Sequence, residues 1–314
     1  MSCAGYATEL PVLGLATRFE TNDAEVADCV EEAFGMWRAL GDGLVAELTR
    51  EPPLLVRIEV VAGDEGPLPA GAHAPVHYSC PDETRVVVET PASVAVSDPL
   101  RRQAMARVTR GLVADRMHFR TEVLEAVTLA LLSHFDRHPV HAAAVALNGR
   151  AVLLAAPSGT GKSTLAYHCH LDGLELLGED HVRMQLEPRV RVWGWPARVR
   201  LLARAPECAG ADSRTASPHD KQAIPLERGM SVARLVARDV AVCLLERDGG
   251  SASLTPIDAT TLARALDAQL APGFDRFPQR WSRVRDALAR RGGLSLNLSS
   301  DPREGMELVR RMVQ

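Results

Sequence analysis

The chain has 314 residues, 46% of them hydrophobic and 24% charged, with a formal net charge of −4. That length suits two domains, and the composition is that of a folded chain rather than a disordered one. The negative balance gives no overall attraction to nucleic acid, and no apolar run approaches the roughly 20 residues of a membrane helix.

The first residues, MSCAGYATELPVLGL, lack the basic and long apolar regions of a signal peptide. Six cysteines are scattered without C-x-x-C spacing, which argues against a zinc site and against a disulfide scaffold. The expectation is a cytoplasmic protein with neither a nucleic-acid nor a membrane partner.

Along the chain, residues 10–19 read as a strand and residues 21–40 as a helix, with Asn22 and Asp23 available as caps and Val26, Val30, Ala33, Phe34 and Trp37 at helical spacing. Residues 54–62 alternate like a strand, and a Gly/Pro-rich loop runs on to Pro75. Residues 76–79 and 84–90 suggest two short paired strands, and residues 99–137 one or two helices. No chemical constellation occurs in this stretch. Residues 1–136 are therefore expected to form a small mixed α/β accessory domain that presents substrate.

Residues 137–314 read differently. Two apolar runs, 140–147 and 150–155, flank Asn148-Gly149, a strong hairpin signal. A glycine-rich turn, a helix over 163–171 and an apolar segment over 174–178 follow. Strands over 189–195, 240–246 and 294–298 then mix with helices over 259–269 and 281–290. A last helix opens at Asp301-Pro302-Arg303-Glu304, with an N-cap, a proline at N1 and an acid at N3. This mixture predicts an α/β (α+β) core.

The segment Ala156-Pro157-Ser158-Gly159-Thr160-Gly161-Lys162-Ser163 is the informative one. It differs from G-x-x-x-x-G-K-[ST] only in Ala156. Backbone N–H groups of such a loop converge on phosphate oxygens, which Gly159 and Gly161 permit, and the following helix N-terminus adds a favourable dipole. Lys162 would reach the β and γ phosphates and Ser163 the Mg²⁺ shell, with Ser158, Thr160 and Thr164 completing the loop. Of 36 Lys plus Arg residues only Lys162 and Lys221 are lysines. Where arginine has replaced lysine so widely, a surviving lysine marks a place that needs a compact ammonium.

Leu176-Leu177-Gly178-Glu179-Asp180-His181 lies one helix and one strand later, and it would bring two adjacent carboxylates to the phosphate end of the sheet. One acid is needed to hold Mg²⁺, and a kinase gains from a second near the acceptor hydroxyl. Asp180 is placed on the metal with Ser163; Glu179, or Asp180 itself, is the candidate base. His141 is a candidate for phosphate contact or proton transfer. Arg198, Arg200 and Lys221 are candidates for contacts to the transferring phosphoryl group or the acceptor.

Together, the histidine in HAAAV, the hairpin, the loop APSGTGKSTLA and the acidic turn LLGEDHV resemble the HPr kinase/phosphorylase family. More narrowly they resemble the HPr-kinase-related proteins found with ribosomally made peptide pathways such as lasso peptides. That family's core is similar to phosphoenolpyruvate carboxykinase. The likeness covers residues 137 to about 250 well. It implies ATP-dependent phosphorylation of a serine hydroxyl on a protein or peptide, with Mg²⁺. It also aligns Glu179 and Asp180 with the family's paired aspartates and His141 with its histidine near the loop. Glu179 departs from that pattern by one methylene, and the bifunctional enzyme's C-terminal signature is missing.

The resulting expectation is a P-loop serine kinase for a peptide or protein, compatible with a homo-oligomer. The rival readings are a nucleotide-binding regulatory or assembly ATPase, and a kinase for a small alcohol. A GTPase is disfavoured because no N-K-x-D motif occurs.

Overall fold

The structure, a computed structural model, describes residues 5–40, 51–63, 72–195, 198–202, 221–225, 235–270 and 278–314. The side chains of residues 198–202, 221–225, 278 and 279 lie outside that description. The protein is a mixed α/β chain that divides into two compact units, Met1–Arg137 and His138–Gln314.

The first unit is built on a seven-stranded sheet in the order β1-β2-β3-β7-β6-β5-β4. The strands are β1 (Tyr6–Val12), β2 (Leu15–Thr21), β3 (Leu54–Val61), β4 (His77–Ser79), β5 (Val86–Glu89), β6 (Val94–Asp98) and β7 (Gln103–Thr109). Residues 10–19 are thus not one strand. They form a hairpin whose turn residues Leu13 and Gly14 have φ of 50° and 78°. Helix α1 (Ala24–Phe34) is capped by Asp23, whose carboxylate accepts from the N–H groups of Glu25 and Val26. It buries Val26, Cys29, Val30, Ala33 and Phe34, and Phe34 stacks on Phe19 at 5.0 Å.

Nor are residues 99–137 helical throughout. β7 runs parallel to β3 and antiparallel to β6, with Ala104, Ala106 and Val108 buried on one face. Only after Thr109 caps α2 (Arg110–Ala114) does the chain turn helical. It continues through α3 (Arg116–His118), a π-helical stretch (Phe119–Glu125) and α4 (Ala126–Ser133).

The second unit holds a six-stranded sheet in the order β11-β9-β10-β17-β19-β18 and a four-stranded antiparallel sheet in the order β16-β13-β12-β8. In chain order the elements are β8 (His138–His141), β9 (Ala143–Leu147), β10 (Arg150–Ala155), α5 (Lys162–Leu171), β11 (Glu175–Gly178), β12 (His181–Gln185) and β13 (Arg191–Trp193). A separate pair, β14 (Arg198–Leu202) and β15 (Lys221–Pro225), follows. Then come β16 (Val236–Ala237), β17 (Asp239–Glu246), β18 (Ser253–Ile257), α6 (Ala259–Ala268), α7 (Pro278–Ala289), β19 (Gly293–Asn297) and α8 (Pro302–Val313).

Asn148 and Gly149 form the β9–β10 turn, both at positive φ. β10 is apolar at successive positions because it is covered on both faces. Ala151, Leu153 and Ala155 meet the four-stranded sheet, α6 and α7, while Val152 and Leu154 meet α5 and α8. Asp301 caps α8 by accepting from the Arg303 N–H at 2.9 Å, with Pro302 at its first position.

Strand direction determines where the site falls. β10 is parallel to β17, and β17 to β19. β9 is antiparallel to both β10 and β11, so β11 points the same way as β10. The carboxyl ends of β10, β11, β17 and β19 therefore emerge on one edge of the sheet, the edge where α/β sheets place their ligands.

Candidate functional site: a glycine-rich loop with an acidic turn beside it

Residues 156–161 leave the end of β10 and lead into α5. Gly159 and Gly161 take φ of 85° and 120°, which an L side chain rarely adopts. No side chain caps α5, so the N–H groups of its first turn stay directed at the loop. Lys162 is 8% exposed, and its Nζ donates to the Ala156 carbonyl at 2.6 Å, drawing the ammonium back across the loop. The Thr160 hydroxyl donates to the Pro157 carbonyl at 3.0 Å, while Pro157, Ser158 and Gly159 are exposed. Thr164 lies in the first turn of α5. The loop thus presents backbone donors, a helix N-terminus and one ammonium, a set that suits a polyphosphate.

The acidic turn reaches the loop from β11. Ser163 Oγ donates to Glu179 Oε2 at 2.8 Å, and Glu179 is 7% exposed. Asp180 faces the other way, toward two imidazoles. Its Oδ1 lies 3.3 Å from His141 Nε2 and its Oδ2 lies 3.1 Å from His181 Nδ1. His141 and His181 are directly opposed in the β8–β12 pair, with ring centroids 5.9 Å apart. His141 Nδ1 is 3.2 Å from the carbonyl of Gln269; a carbonyl only accepts, so that nitrogen carries a proton. Nε2 faces the Asp180 carboxylate.

The turn is tight at Gly178. A Cβ built there would stand 2.4 Å from the His181 carbonyl oxygen, so only glycine lets the chain double back at this point. β8, which carries His141, and the turn that carries Glu179 and Asp180 are in this way brought together.

Of the sequence-derived candidates, the structure brings together Lys162, Ser163, Glu179, Asp180 and His141. Arg198 and Arg200 in β14 and Lys221 in β15 have a described backbone, with Leu202 registered against Lys221, but their side chains lie outside the described residues. His181 is not among the candidates that the sequence singles out; its adjacency to Asp180 is the signal that could have found it. Among the described residues no group of three or more His, Cys, Asp or Glu side chains is arranged to hold a metal ion. A hydroxyl and a carboxylate 2.8 Å apart are nonetheless a hard-oxygen pair of the kind Mg²⁺ takes when phosphate oxygens and water supply its other ligands. No helix among the described residues is long and apolar enough to cross a membrane.

No family model matches this chain, and no curated protein matches its sequence. Among solved structures it is similar to the Hpr(Ser) kinase/phosphatase from Coxiella burnetii. The identity is 11% over 56% of this chain and 96% of the other, with a TM-score of 0.32. At that distance the likeness says nothing of activity.

Proposed function

We propose that the chain is an ATP-dependent kinase that transfers the γ-phosphate to a serine hydroxyl of a peptide or protein, a ribosomally made precursor peptide being the substrate that the sequence resemblance suggests. One observation carries this reading: two adjacent carboxylates beside the glycine-rich loop have divided their partners. Glu179 is bound to the loop hydroxyl of Ser163, and Asp180 is bracketed by histidines. A protein that only bound nucleotide would need the first carboxylate but not the second, which here stands where it could activate an attacking hydroxyl.

The loop N–H groups and Lys162 would hold the polyphosphate. Ser163 and Glu179 would hold Mg²⁺, which would supply charge neutralisation at the phosphate oxygens. The sequence suggests Asp180 for the metal; the Ser163–Glu179 hydrogen bond favours Glu179 there and leaves the base role to Asp180. Asp180 would take the proton of the acceptor hydroxyl as oxygen attacks, and His141 would fix the carboxylate in place through its bond to the Gln269 carbonyl. Cytoplasmic location is part of the same proposal.

The test is transfer of label from γ-labelled ATP, with Mg²⁺, into a size-fractionated lysate of the host, with Lys162→Ala and Asp180→Asn as controls. Label on a peptide or protein that disappears in both variants supports the proposal. Label only in the small-molecule fraction would point to an alcohol metabolite. Nucleotide binding with no transfer to any fraction would point to a regulatory ATPase.

A further inference from the structure

β17 is the parallel neighbour of β10, and its register sets Leu244 beside Ala155, the last residue before the loop. The chain leaving β17 therefore passes the glycine-rich loop on the side away from β11. The first residue beyond β17 is Arg247. A methyl group placed on the Gly161 Cα would stand 3.6 Å from Arg247 Nη2 and 3.5 Å from Leu298 Cδ1. The guanidinium thus lies against the loop residue that precedes Lys162.

Two features single this arginine out. The first is that it is held in place. Its Nη1 donates to the Ser299 carbonyl at 3.0 Å. The strand ends beneath it are tied together by the Leu298 N–H to the Glu246 carbonyl at 2.8 Å, by the Asp248 N–H to Asn297 Oδ1 at 3.1 Å, and by Asn297 Nδ2 to Asp248 Oδ1 at 2.6 Å. The second is that its charge is not neutralised. Arg285 and Arg116 each sit on a carboxylate, whereas among the described residues Arg247 has no acidic partner. Its neighbour Asp248 is turned away; the Gly250 N–H and the Asn297 amide hold that carboxyl below its usual range. A fixed guanidinium with free donors beside a phosphate-binding loop is suited to an anion.

We infer that Arg247 is a second cation for the bound nucleotide, contacting its polyphosphate from the β17 side of the loop. Glu179 and Asp180 approach from the β11 side, where metal and acceptor would be handled. Arg247 then grips the portion of the polyphosphate that stays with the enzyme after transfer, and this contact is shared by ATP and ADP. The inference rests on the proposal that the loop binds nucleotide.

The test is calorimetric titration of the full chain with Mg·ATP and with ADP, for the wild type, Arg247→Ala, Arg247→Gln, Arg247→Lys and Lys162→Ala. Loss of a charge-assisted phosphate contact predicts that the Ala and Gln variants bind both nucleotides on the order of ten- to a hundredfold more weakly, with Lys recovering part of the loss. Gln separates the two roles, because it keeps a donor for the Ser299 carbonyl without the charge. If Gln and Ala bind within twofold of wild type while Lys162→Ala abolishes binding, the inference is overturned and the nucleotide site stands. If Gln binds like wild type and Ala alone is weak, Arg247 is a brace for the strand ends, which also overturns it. If the wild type binds neither nucleotide, the underlying proposal fails and this one with it.

Discussion

Replacing Gly178 by alanine tests whether the acidic turn is as tightly constrained as its geometry requires. The added Cβ would meet the His181 carbonyl oxygen at 2.4 Å, at least 0.6 Å inside the 3.0 Å below which real Cβ contacts are essentially never seen. That oxygen is backbone in β12, registered against His141, so it cannot swing away as a long side chain would. The strain must be relieved by moving the turn itself. Overpacking of this kind costs about 1–3 kcal/mol. The same movement carries Glu179 and Asp180, whose contacts at 2.8, 3.3 and 3.1 Å leave little room before they cease to be hydrogen bonds. A shift approaching 1 Å at reacting groups costs on the order of 100-fold in rate. The expectation is a lower denaturation midpoint, a large fall in Mg²⁺-dependent label transfer, and retained affinity for nucleotide in the absence of Mg²⁺, since the loop itself is untouched. Wild-type stability together with wild-type transfer in Gly178→Ala would refute this account of the turn.

Three further outcomes are expected. His181→Ala should lower phosphotransfer about tenfold, the worth of one hydrogen bond that orients the carboxylate, while His181→Asn, whose amide nitrogen falls near the Nδ1 position, should restore most of it; equal losses in both would show that His181 does not act through Asp180. Burial pushes the Cys169 and Cys243 thiols up to about 12, so site-resolved alkylation at pH 8 should leave both unmodified in the native chain and label both after denaturation. Hydrogen bonds from Arg57 and Arg18 hold the Glu20 carboxyl below its ordinary value of 4.5. Its stabilisation is therefore complete above that value and lost as pH falls through the lowered one; Glu20→Gln should cost about 1 kcal/mol or less at pH 7, given its half-exposed arginine partners, and nothing at strongly acidic pH. A difference that stays constant with pH would contradict that assignment.

What the sequence made legible was local. The glycine-rich loop, the Asn148-Gly149 turn and the Asp301-Pro302 helix start each depend on a few consecutive residues whose backbone demands are specific, and the structure has each where those residues predict it. The hairpin at residues 10–19 was hidden because Leu13, an apolar residue, occupies a positive-φ position that normally advertises itself with Asn, Asp or Gly. β7 was hidden by composition. Gln103, Ala104, Met105, Ala106 and Arg107 all favour helix, and the buried alternation is carried by two alanines and Val108. Pairing with β3 and β6 overrode that preference. The place of Arg247 beside the loop and the separate contacts of Glu179 and Asp180 were illegible for another reason: each depends on which strands are neighbours in the sheet, and no local pattern encodes that.

Sheet order also explains why the site has two unlike sides. β9 lies between β10 and β11 and runs against both, so β11 is separated from the loop strand by a full strand width, while β17 is its immediate neighbour. Arg247 needs no more than the end of β17 to reach Gly161. The acidic pair must instead cross back over the end of β9, and the chain does this by folding tightly at Gly178 into β12, which places Glu179 against Ser163 and leaves Asp180 pointing at the β8 histidine. β8 runs into β9 through Ala142 alone, so the strand that keeps the carboxylates at a distance also delivers His141 to the one that turns away from the loop. A cation on the near side and two carboxylates with separate partners on the far side follow from one antiparallel strand in an otherwise parallel centre. The missing side chain at Gly178 is therefore as much a condition of the site as the glycines of the loop.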